Sequence, residues 1–164
     1  MPTRSLLALV ILFSLITNIA IVNAQNDTTP KVMTTGLNHI GLTVKDLTAS
    51  SDFFINTLGW TRAGGSADYP SAFVTDGKIF ITLWQTKNTE NVVEFDRKNN
   101  VGLHHLALTV ASEEILNVLH QRFRLIPNVS IEFSPELNGK GPAIHMMIRE
   151  PSGNRIEFAY NPST

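Results

Sequence analysis

Three side chains of this sequence could hold a metal ion between them: His39, His105 and Glu157. The two histidines occupy one position in two copies of a single pattern, Leu37-Asn38-His39-Ile40-Gly41-Leu42-Thr43-Val44 and Leu103-His104-His105-Leu106-Ala107-Leu108-Thr109-Val110. Each copy alternates with the period of two expected of a half-buried strand, so the repeat is structural as well as textual. Glu157 lies in the run Arg155-Ile156-Glu157-Phe158-Ala159-Tyr160, where a carboxylate among apolar residues needs a partner because an unpaired buried charge is costly. Two neutral imidazoles and one carboxylate form a facial set that binds a divalent transition metal and leaves positions open for water, substrate or oxygen.

Strand parity does the sorting, because alternate side chains point to opposite faces of a sheet. In the first copy Ile40, Leu42 and Val44 share the face that a helix would cover, which leaves His39 with Gly41 and Thr43 on the other. In the second, Leu106, Leu108 and Val110 take the helix side and His105, Ala107 and Thr109 the opposite one; His104 falls with the aliphatic set and reads as structural. In the last run Ile156, Phe158 and Tyr160 take one side and Arg155, Glu157 and Ala159 the other. A lone strand histidine is more often a satisfied core or surface residue, and Glu157 by itself could pair with Arg155 or Arg149. The shared register of the two histidines within duplicated modules is what turns these residues into a site.

The elements that must position them follow from the flanking residues. After a strand at 36–44, Asp46 can cap a helix with Leu47, Phe54 and Leu58 on one side, and Gly59 stops it. A short strand near Trp60–Arg62, a turn at Gly64-Gly65, and strands at 71–75 and 79–84 joined through Asp76-Gly77 complete a βαβββ module. Residues 86–100 are polar and asparagine-rich, as in a linker. The order then recurs: a strand at 102–110, a helix capped by Ser112 with Glu113 and Glu114 in its first turn and Leu116, Leu119 and Phe123 as its buried stripe, and strands at 129–133, 143–149 and 154–160. The expected class is α+β, with modules 36–85 and 101–161 making one domain over 36–161, a curved mixed sheet around a metal cavity.

Composition narrows the setting. Arg4 followed by an apolar run from Leu6 to Val22, with Val22-Asn23-Ala24 behind it, reads as a signal peptide cleaved after Ala24, which predicts a secreted or periplasmic protein with no membrane attachment afterwards; the alternative is an uncleaved anchor, since the run is near the lower limit for spanning a bilayer. Residues 25–35 then form a loose lead-in. The remaining chain of about 140 residues suffices for one domain with a real core. Cysteine is absent, so neither disulfides nor thiolate ligands are available. A net charge of −1 without a basic run argues against nucleic acid. Asn26-Asp27-Thr28 and Asn128-Val129-Ser130 match the glycosylation acceptor pattern, which matters only in a eukaryotic secretory route.

The stretch Leu37 to Leu47, the Phe53-Phe54 to Leu58-Gly59-Trp60 helix end, and Glu150-Pro151-Ser152-Gly153-Asn154-Arg155-Ile156-Glu157-Phe158 together resemble the vicinal oxygen chelate superfamily, which includes glyoxalase I, fosfomycin-resistance proteins, extradiol dioxygenases, methylmalonyl-CoA epimerase and bleomycin-binding proteins. The resemblance implies the glyoxalase/dioxygenase-like fold and places His39, His105 and Glu157 on metal-ligand positions, the same three reached from parity. It also implies a fourth position, a Glu or Gln in glyoxalase I, that here falls on Thr82, a poor ligand. That leaves a three-ligand set like those of the extradiol dioxygenases and fosfomycin transferases. Where those families carry a Tyr, this chain has Met147, and His145, of the same parity, is the candidate acid or base. Lys140 is the one counterpart to the phosphonate-gripping cations of the fosfomycin proteins. Phe80 and Trp84 share the parity of Thr82 and would line the cavity, suiting an apolar or aromatic small-molecule substrate. The resemblance thus implies an enzyme using Fe²⁺, Mn²⁺ or Zn²⁺, as a dioxygenase, lyase or isomerase, in a homodimer or a single-chain site, and the N-terminal segment adds the expectation of export. The alternative is a binding protein without turnover, like the bleomycin-sequestering members.

Overall fold

The period-2 runs fold as strands and the two capped segments as helices, in a computed structural model that describes residues 32–162. The expected signal peptide and cleavage after Ala24, Asn26 and most of the expected lead-in lie outside the described residues. From Gly36 onward the chain forms one compact unit. Its first module comprises β1 (Ile40–Val44), α1 (Leu47–Asp52), β2 (Thr61–Ser66), β3 (Ser71–Thr75) and β4 (Phe80–Gln85); the second comprises β5 (Leu106–Thr109), α2 (Glu113–Phe123), β6 (Ser130–Leu137), β7 (Ile144–Arg149) and β8 (Arg155–Tyr160). The α+β class and both βαβββ modules are those expected. The eight strands fall into two four-stranded mixed sheets of matching order, β1-β4-β3-β2 and β5-β8-β7-β6.

Both histidine strands are shorter at their starts than the alternation predicts. His39 and His105 stand one residue ahead of β1 and β5, and not within them. Gly64 and Gly65, read as a turn, are paired inside β2 with Phe73 and Ala72 after a register shift that follows Arg62. The glycines permit this, since both hold φ near 150°, which a side chain rarely adopts. β6 extends to Leu137, past the expected 133, and accommodates two bulges against β7.

Local chemistry sets the helices. Asp46 accepts a hydrogen bond from Ala49 N at 2.9 Å and Ser112 one from Ile115 N at 3.2 Å, each satisfying a free donor of the first turn. Beyond α1 the chain widens into a π-helical turn over Phe53–Thr57, in which Phe53 packs on Phe123 at 5.6 Å and Phe54 on Trp60 at 5.2 Å. The helix-facing residues of both modules, among them Leu42, Ile81, Leu83, Leu106, Ile156 and Phe158, belong to one continuous buried core.

A second tie joins the modules. The Glu150–Asn154 turn, legible in the sequence as a strand connection, carries a buried carboxylate: Glu150 accepts from Ser50 Oγ at 2.6 Å and from Asn154 N and Nδ2 at 3.1 and 2.8 Å. Ser152 Oγ accepts from the backbone N–H groups of Lys45 and Asp46, and Asn154 Nδ2 also donates to Thr43 O. The start of α1 is thereby fixed to the turn that launches β8, the strand bearing Glu157.

Candidate metal centre

β8 lies between β5 and β7, and the parity argument now acquires distances. Glu157 is registered with Ala107 on one side and Met147 on the other. Its Oε2 is 2.9 Å from His105 Nε2 and its Oε1 is 2.6 Å from His145 Nδ1, with only 11% of the side chain exposed. An ionised carboxylate accepts only, so both imidazoles donate to it. His145 is further confined by the Phe133 ring at 4.9 Å. Met147 is buried beside Glu157.

Arg155 and Arg149, the bland partners available to Glu157, are engaged elsewhere. Glu132, in the first bulge of β6, takes two hydrogen bonds from Arg155 Nε and one from its Nη2, and a further ion pair from Arg149 Nε at 2.9 Å. The hydrogen bonds from Arg155 hold the Glu132 carboxyl below its ordinary value, outweighing the opposing effect of burial. Arg155 Nη1 donates to His104 O at 3.0 Å and faces His104 Nδ1 at 3.3 Å, while that nitrogen lies 2.8 Å from His105 Nδ1. Desolvation first, and then the charges of Arg155 and His105, keep the His104 ring below its usual pKa.

His104, assigned to the aliphatic side by parity, is therefore a neighbour of the site. It escapes the alternation because it precedes β5, where the strand's rule does not apply. His104, Arg155 and Glu132 are the participants that sequence reasoning missed. The doubled histidine was the available signal for the first, and the cation two residues before Glu157 for the second.

His39 is not part of this group. Its Nδ1 is hydrogen-bonded to Asn38 Oδ1 at 2.7 Å and its ring meets Phe80 edge-on at 6.5 Å. Among the described residues, no group of three or more His, Asp or Glu side chains is arranged to hold a metal ion. Within its own module, however, His39 repeats the placement of His105: Gly41 registers with Thr82 as Ala107 does with Glu157. Thr82 is buried and accepts from Trp84 Nε1 at 2.9 Å, and Phe80 and Trp84 are half-buried on its face. Lys140 is exposed in the turn before β7.

A cavity of about 1020 Å³ opens between the β1 edge, residues 92–103 and the Glu150–Arg155 turn. None of His39, His105, His145 and Glu157 lines it, so its size does not make it the chemical centre. Arg149 and Arg155 reach its wall.

The family model described as Glyoxalase/Bleomycin resistance protein/Dioxygenase superfamily matches residues 36–158. No curated protein matches the sequence. Among solved structures, a glyoxylase/bleomycin resistance protein/dioxygenase domain from Frankia sp. EAN1pec is similar at 23% identity and a TM-score of 0.67, over 79% of this chain and 99% of that one. The fosfomycin resistance protein FosX from Listeria monocytogenes is similar at 18% identity and a TM-score of 0.60, covering 79% and 96%. A lactoylglutathione lyase from Agrobacterium tumefaciens is similar at 16% identity and a TM-score of 0.58, covering 77% and 95%. At these identities the likeness is one of fold.

Proposed function

Because the chain belongs to the glyoxalase/bleomycin resistance protein/dioxygenase superfamily, we propose that it is a divalent-metal-dependent enzyme acting on a small oxygen-bearing substrate. The observation that carries this reading is the 2.9 Å approach of His105 Nε2 to Glu157 Oε2. Neighbouring donors around a cation that binds each at about 2.0–2.2 Å lie roughly 3 Å apart, so the pair fits two adjacent ligand positions. A bound Fe²⁺, Mn²⁺ or Zn²⁺ would supply Lewis acidity toward adjacent substrate oxygens.

The surrounding residues suit that role. For Nε2 of His105 to be a ligand, its proton must sit on Nδ1, and His104 Nδ1 is within 2.8 Å to accept it. His104 is biased to the neutral, accepting form and is anchored by Arg155, which Glu132 fixes in turn. His145 donates through Nδ1 to the far oxygen of Glu157, which leaves its Nε2 as the basic nitrogen of the neutral ring. His145 is accordingly the residue to take or return a proton from substrate.

His39 completes the ligand set from a second copy of the chain. Support comes from the edges: among the described residues β1 and β5 each border their sheet, and exposed Leu37 and Leu103 stand ahead of them. Such edges are templates for strand addition. Joined β1 to β5, two copies would place each His39 opposite the His105–Glu157 pair of its partner.

Export with removal of residues 1–24 belongs to the same reading, on the strength of the apolar N-terminal run. A sequestering protein without turnover is the second reading, favoured by His39 being bonded to Asn38 and not aimed at the pair.

Metal analysis tests the proposal. Purified protein under metal-replete conditions should carry one transition metal per chain, lost in each of His39→Ala, His105→Ala and Glu157→Ala. Wild-type protein that binds none would leave the sequestering role ahead.

A further inference from the structure

The two modules share a backbone register but not a surface. Where the second module sets Met147, Glu157, Ala159 and Arg155, the first sets Phe73, Thr82, Trp84 and Phe80 at the corresponding pairings. The rings run in a row: Tyr69 to Trp84 at 5.0 Å, Trp84 to Phe73 at 5.7 Å, Phe73 to Phe80 at 6.0 Å, and Phe80 to His39 at 6.5 Å. Phe73 and Tyr69 extend what the sequence marked as Phe80 and Trp84 alone.

Three features make the row a surface for a ligand and not core. Phe73, Phe80 and Trp84 are only half-buried and Tyr69 is 52% exposed, whereas the opposite face of the same strands, at Ala72, Val74, Ile81 and Leu83, is sealed. The indole N–H of Trp84, its one polar handle, is consumed internally by Thr82, so the ring offers apolar and π surface alone. Glycines keep the face clear: a Cβ at Gly64 would come within 3.2 Å of the Phe73 ring, and one at Gly41 within 3.4 Å of Thr82 Oγ1.

From this we infer that the first module is a stacking platform for an uncharged, planar aromatic ligand, whose polar end reaches toward His39. The inference rests on the proposed small-molecule site and names its substrate class. None of Tyr69, Trp84, Phe73 and Phe80 is a cationic residue, so the rings offer a phosphonate or a charged thiol conjugate no ion-pairing partner. Flat rings stack on aromatic faces, whereas a puckered saturated ring of the same size makes fewer contacts. The division of labour is then plain: the second module supplies ligands and proton transfer, and the first supplies shape.

Calorimetric titration of the full metal-free protein with 2-naphthol, and with its saturated analogue decahydro-2-naphthol, tests this. Saturable binding of 2-naphthol, at least tenfold tighter than the analogue and at least tenfold weakened by Phe73→Ala, supports the platform. Should Phe73→Ala fail to fold by circular dichroism, Phe80→Leu serves in its place. Equal binding of the two compounds, no binding of either, or ring variants that bind 2-naphthol as wild type does would overturn it. Ring variants that dissociate a dimer while the wild type binds no 2-naphthol would assign the row to a second copy and likewise overturn it. Because metal is absent throughout, these failures leave the metal proposal standing, and 2-naphthol binding by a protein that takes up no metal would remove only the latter.

Discussion

Thr82 stands in the first module where Glu157 stands in the second: each is registered on its parallel neighbour, Gly41 or Ala107, two residues beyond a histidine. One partner keeps a carboxylate between two imidazoles, and the other spends its hydroxyl on the Trp84 indole. The modules have thus diverged at this equivalent position, among others, while preserving the backbone that aims it. Thr82→Glu should restore a ligand beside His39 and tighten divalent-metal binding by on the order of tenfold, about 1.4 kcal/mol. Isothermal titration with Mn²⁺ reads this, and unchanged affinity would show that Thr82 does not share a centre with His39.

A composite site makes a specific demand on mixtures. His39→Ala and Glu157→Ala should each bind no metal alone, yet regain it when unfolded together and refolded as mixed dimers, since one centre per mixed dimer then has an intact His39 opposite an intact Glu157. Metal content of size-fractionated dimers is the measurement. If mixing restores nothing, His39 does not act across chains.

His104 touches no substrate in this scheme but holds the His105 tautomer. Replacing it with Phe should weaken metal binding by about 10- to 100-fold, the usual cost of removing a ligand's outer partner. His104→Gln, whose carbonyl can accept from His105 Nδ1, should recover part of the loss. A purely structural role for His104 would instead lower thermal stability in both variants without separating their metal affinities.

Acid should loosen the Arg149–Glu132–Arg155 cluster. The native Glu132 carboxyl is held below its ordinary 4.5, so its contribution to stability is complete above that pH and declines as pH falls through the lowered native value. Glu132→Gln should therefore melt at a lower temperature than wild type near neutrality, with the gap closing steadily below pH 4.5. Melting curves across the range check this. A gap independent of pH would mean that the carboxylate charge contributes nothing.

The sequence by itself determined the architecture and named the candidate site residues. Alternation fixed which side of each strand is apolar, capping residues fixed where both helices begin, and duplication showed that His39 and His105 are equivalents. Those signals are local or periodic, and one chain displays them directly. Which side chains meet was decided by the tertiary structure. Glu157 is free for His105 and His145 because a bulge in β6 delivers Glu132 to Arg155 and Arg149, and a bulge is invisible to a strict period of two. His104 reaches His105 because β5 begins at Leu106, four residues later than the alternation implies. His39 and His105 share a register yet not a contact, since the packing of Phe53 on Phe123 and the Ser50–Glu150 tie set the modules' arrangement, and both depend on pairings between residues far apart in the chain.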